Sequence, residues 1–69
     1  MKVIIIEKLK VGDIILAYDS EFFKWMKCRV NQVEKYLVTL EYIEGNLKDF
    51  LFYENIKGLK NSDYYRMAG

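Results

Sequence analysis

Apolar positions along this chain recur at every second residue in short runs, the pattern of strands that bury one face. The first predicted strand, 14–18, is instead a continuous apolar run that opens with Ile14-Ile15-Leu16-Ala17. From Lys24 onward Met26, Cys28 and Val30 fall on one face, and Trp25, Lys27 and Arg29 on the other. Period two with one polar face predicts an antiparallel strand. Val38, Leu40 and Tyr42 alternate in the same way with Leu37, Thr39 and Glu41. Residues 47–53 read as a fourth strand, with Leu51 and Tyr53 in register for the core and Phe50 and Phe52 pointing away. Glu54-Asn55-Ile56 suits one helical turn before a short closing strand at 57–60.

Between the runs the residues favour turns. Gly12-Asp13 precedes the first strand, with Gly12 supplying a backbone angle other residues resist. Asp19-Ser20-Glu21 suits a loop, although Phe22-Phe23 directly after it is not ordinary loop chemistry; one of the two rings is expected to cap the core and one to stay exposed. A turn is expected within 31–35, and Glu44-Gly45-Asn46 makes the next tight turn. The β-branched run 3–6 predicts an extra N-terminal edge strand, and the polar stretch 61–69 reads as a tail or a single helical turn. Strands at roughly ten-residue spacing, with no sustained 3.6-residue apolar stripe, predict an all-β chain of four to five short strands, a small barrel or sandwich. One domain is expected over 1–60, with its core in 12–59.

Composition narrows the picture. Sixty-nine residues with 52% hydrophobic content fold as one thin-cored unit rather than remaining disordered. The single cysteine, Cys28, leaves no internal disulfide, and without histidine no metal site or cofactor is expected. The apolar run 3–6 is shorter than the about 7–15 residues of an export signal or the about 20 of a membrane span, so an intracellular place, cytoplasmic or nuclear, is expected. A net charge of +1 provides no general pull toward nucleic acid or membrane. The charge is nonetheless uneven: Lys24, Lys27, Arg29 and Lys35 face only Glu34 in 24–35, whereas Glu41, Glu44, Asp49 and Glu54 face only Lys48 in 41–54.

The serial order of Gly12-Asp13, Leu16-Ala17, Trp25-Met26-Lys27-Cys28-Arg29-Val30, Gly45-Asn46 and Ile56-Lys57-Gly58-Leu59 resembles the Tudor branch of the SH3-like barrels. The resemblance covers about two-thirds of the chain. It implies a four- to five-stranded barrel and a cage of aromatic rings for a methylated lysine or arginine, a cation held over ring faces for about 0.5–2 kcal/mol per contact. On that resemblance the cage positions fall on Phe22 or Phe23, Trp25, Tyr42 and Asn46. Met26 stands where the family has a tyrosine, and Glu44 where the turn tyrosine is expected, so the implied cage is incomplete.

The candidate partner-binding residues are therefore Phe22, Phe23, Trp25, Tyr42, Glu44 and Asn46, with Lys24, Lys27 and Arg29 as a basic patch. Cys28 takes a small inward position and lacks an activating neighbour, and nothing in the chain supplies a catalytic set. The leading expectation is a non-catalytic module that binds a protein or peptide, as adaptor or small inhibitor. The alternatives are a methyl-lysine or methyl-arginine reader with a partial cage, and single-stranded nucleic-acid binding through Trp25 and its basic neighbours. The N-terminal strand would also offer an edge to a second copy, leaving monomer and weak homodimer both open.

Overall fold

The computed structural model describes residues 3–68; Met1 and Lys2 of the expected domain and Gly69 of the expected tail lie outside the described residues. A 3-10 turn, Ile6–Lys8, leads into β1 (Ile14–Asp19), β2 (Lys24–Val33), β3 (Leu37–Tyr42), β4 (Leu51–Asn55), the short helix α1 (Ile56–Leu59) and β5 (Tyr65–Met67). The five strands form one antiparallel sheet in the order β4-β3-β2-β1-β5. The chain is thus all-β apart from single turns of helix, and compatible with an SH3-like fold. The sheet is not closed into a barrel. Its edge strands β4 and β5 are linked by side chains instead: the Tyr65 hydroxyl donates to Glu54 Oε2 at 2.6 Å.

Alternation places the core where the pattern puts it. Ile15, Cys28, Val30, Val38 and Leu40 are fully buried on the inner face, with Ala17 and Met26 nearly so. Direct cross-strand pairing of Ile15 with Cys28 and of Val30 with Leu40 brings these side chains into contact distance on one face. Leu59 from α1 and Ile4 and Leu9 from the N-terminal segment complete the core, each contributing about 1.5–3 kcal/mol by leaving water.

Four local expectations are corrected. Residues 3–6 form no strand. Both sides of β1 are already occupied, by β2 and β5, so the segment turns through Ile6–Lys8 and drops Ile4 and Leu9 into the core. It offers no strand edge to a second copy. The turn expected in 31–35 is shorter than that: β2 runs on to Val33, with a bulge between Val30 and Gln32, and closes through Glu34 N donating to Leu37 O. The closing strand lies at Tyr65–Met67, within the expected tail, while 56–59 is helical because the Asn55 side chain caps the Lys57 N–H at 2.7 Å.

The phase of β4 is the fourth correction. Phe52 faces the core and stacks on Tyr42, whereas Leu51 and Tyr53 are exposed. Asp49 adopts a left-handed backbone (φ 72°), and both Asp49 and Phe50 bond to Tyr42, two residues opposite one. Such a bulge shifts the following strand by one residue, which exchanges its two faces.

Candidate functional site

The loops 19–24 and 43–50 leave the sheet at the same end, because Asp19 pairs with Lys24 and Ile43 N donates to Lys27 O. In the first loop Asp19 Oδ1 accepts from the backbone of Glu21 at 2.9 Å and of Phe22 at 3.3 Å. This ties the loop tightly enough to force Phe23 into the left-handed region (φ 54°), a conformation costing about 1–2 kcal/mol for an ordinary residue. Neither ring caps the core. Phe22 is 50% exposed and Phe23 81%.

The second loop is longer than a tight turn. Gly45 is left-handed (φ 75°), and a Cβ added there would run into the end of the Met26 side chain, so both backbone and space favour glycine. Phe50 follows the bulge and remains 56% exposed, its ring 6.4 Å from Tyr42. Tyr42 is half-buried, stacked on Phe52 at 4.9 Å. Its phenol is held above its ordinary range, first by burial and then by the nearby Cys28 and Asp19. Glu44 is half-buried and its charge reaches Cys28, whereas Asn46 is exposed in the loop.

Trp25 does not join this group. Cys28 lies directly opposite Tyr42, so both point to the inner face, and Trp25, three residues before Cys28, points to the outer one. There its indole meets the edge of Tyr18 at 5.3 Å, and the Arg66 guanidinium lies over its ring at 4.2 Å. Lys27 and Arg29 share the outer face, with Arg29 3.6 Å from Glu41. Lys24 stands apart, at the strand's start opposite Asp19 and on the other side by alternation.

The structure thus divides the candidate residues into two surfaces. Phe22, Phe23, Tyr42, Glu44 and Asn46 belong to one end of the sheet, and Trp25, Lys27 and Arg29 to its outer face. Two contributors were missed in the sequence. Phe50 is expected to point away from the core, and only the left-handed Asp49 before it, a conformation the sequence does not display, brings its ring beside Tyr42. Arg66 was placed in a tail, and only the pairing of Leu16 with Arg66 brings it beside Trp25.

Elsewhere, an apolar groove of about 160 Å³ opens at the opposite end of β1, lined by Val3, Ile5, Lys8, Leu9, Asp13 and Met67. Among the described residues no group of three or more Asp, Glu or Cys is placed to hold a metal ion, and no helix is long and apolar enough to cross a membrane. Fold and site together define a small all-β protein with an exposed aromatic end and a basic-aromatic sheet face. Comparison with known proteins finds no matching family model, no similar curated protein and no similar solved structure.

Proposed function

We propose that this chain is a non-catalytic binding module of the SH3-like, Tudor-like kind, which takes an unmodified protein partner on its aromatic end as an adaptor or small inhibitor. The single observation that carries this reading is Phe23, a phenylalanine 81% exposed and held in a left-handed backbone. Neither its exposure nor its conformation helps the chain fold. Phe22 and Phe50 widen the apolar area, and Asp19, Glu44 and Asn46 supply a polar border, the anatomy of a small interface with an aromatic anchor.

A reader of methylated cations is less well supported, because Trp25 and Tyr42 sit on opposite faces and cannot surround one ammonium. Affinity capture with wild type and Phe23→Asn, followed by calorimetry on the partner recovered, tests the proposal. Asparagine tolerates the left-handed backbone, so the variant is expected to melt no lower than wild type while losing affinity by about 30-fold, the size of a hot-spot truncation. Unchanged affinity in Phe23→Asn would refute the assignment. Peptides carrying trimethyllysine or dimethylarginine are expected to bind no better than their unmodified forms.

A further inference from the structure

The outer face of β1, β2 and β5 carries a second surface that the protein-binding reading leaves unused. Arg66, Leu16 and Lys27 occupy one cross-strand row, with Leu16 pairing Lys27 on one side and Arg66 on the other. Two strand spacings, about 10 Å, therefore separate the two cations along the row. The next row toward the loops holds Tyr18 and Trp25, and the previous one holds Ile14 and Arg29. Glu41, paired with Arg29, is the acidic side chain adjoining these rows. Lys27 is exposed, while Trp25 and Arg66 are half-buried and hold each other in place.

From this juxtaposition we infer that the Trp25–Arg66 stack and Lys27 form a docking face for single-stranded nucleic acid. The guanidinium covers the indole face beneath it and is tied by Nε to Ser62 O, so its own plane is the platform, on which any base can lie since every base has a π-face. Lys27 and Arg29 lie along the rows beside it, where the sugar-phosphate backbone of a stacked strand must pass. A duplex does not fit the requirement, because its bases are already stacked on one another. An acidic peptide would satisfy the cations but leave the platform unused, so the combination favours the nucleic acid. The near-neutral chain limits affinity rather than forbidding binding: the face engages two to three phosphates, and binding is confined to this patch.

Fluorescence anisotropy of a labelled oligothymidylate tests the inference, with an oligoglutamate of equal charge as competitor. Saturable binding at low salt is expected, with log K falling against log salt at a slope of about −1.4 to −2.1, that is about 0.7 per phosphate neutralised. Trp25→Ala is expected to lower affinity about 5- to 150-fold. Because Trp25 also supports Arg66, Lys27→Glu serves as the second variant: the residue is exposed, the fold is kept, and affinity falls. Phe23→Asn leaves oligothymidylate binding unchanged, which separates this face from the aromatic end. No binding at low salt, wild-type affinity in Lys27→Glu, or equal affinity for oligoglutamate would each overturn the inference.

Discussion

Alkaline pH should destabilise this protein, in part through one buried thiol. Cys28 sits fully buried at the centre of β2, and its pKa is pushed up from 9.0 to about 12, first by burial and then by the charge of Glu44. Between those values the unfolded chain releases the proton and the folded chain keeps it. The folded state then binds more protons than the unfolded one, so stability falls as pH rises. Each pH unit in that window costs about 1.4 kcal/mol, which makes the loss about 2 kcal/mol at pH about 10.5. A core this thin supplies roughly 3–5 kcal/mol in total, so the effect is large. Urea titrations in reducing buffer, on wild type and Cys28→Ala at neutral pH and at pH about 10.5, isolate it. Tyr42 and Tyr65 are also held above their ordinary range, chiefly by burial, but both are present in the two proteins, so the comparison isolates the thiol. At neutral pH the variant is the weaker, since truncation leaves a small cavity. At the higher pH the gap should close or invert, moving the relative midpoint by about 1–2 M at the urea slope of a small domain. An equal gap at both pH values would refute the argument that Cys28 is held neutral.

Four further substitutions probe the fold. Gly45→Ala should lower stability by about 1–3 kcal/mol, because the new Cβ meets Met26 Cε and the left-handed backbone resists it; a scan should show a melting point lower by about 4–8 °C per kcal/mol. Tyr65→Phe removes the hydrogen bond to Glu54 between the edge strands and should cost about 1–2 kcal/mol in a urea titration, a cost that shrinks when Glu54 is already glutamine. Phe52→Ala should cost about 2–4 kcal/mol and Tyr53→Ala less than about 1, with calorimetry of both settling which side of β4 faces the core.

Strands β2 and β3 were legible because each alternates over enough residues to set its own phase, and Met26, Cys28, Val30, Val38 and Leu40 are all buried as that phase requires; β1 was legible only as a continuous apolar run. The phase of β4 was not legible, since it depends on one left-handed aspartate whose conformation follows from the bond Asp49 N makes to Tyr42 O. β5 was hidden for a different reason. Three residues, Tyr65-Arg66-Met67, are too few to show a period, and their pairing with Ile15, Leu16 and Ala17 spans about fifty residues of sequence. At the candidate site the exposed phenylalanine pair was readable as surplus aromatics in a polar loop. The separation of Trp25 from Tyr42 was readable too: alternation alone assigns Trp25 to the polar face of β2 and Tyr42 to the apolar face of β3. Their union in one cage came from the family resemblance, and the strand register does not support it.

An open sheet explains how so short a chain carries two separate surfaces. Closing the barrel would require β4 and β5 to pair along their backbones; here one hydrogen bond, Tyr65 to Glu54, and the packing of Leu59 and Ile56 from α1 link the sheet's far edges. Nearly all the burial is on the inner face, so stability depends on residues such as Ile15, Val38 and Leu40. The outer face and the loop end contribute little to it. Trp25 and Arg66 hold each other at 4.2 Å without reaching the core, and Phe23 reaches nothing. Substitutions at these positions should therefore alter binding with small changes in folding, whereas inner-face substitutions should alter both together. That difference lets Phe23→Asn and Lys27→Glu be read as tests of contact rather than of folding.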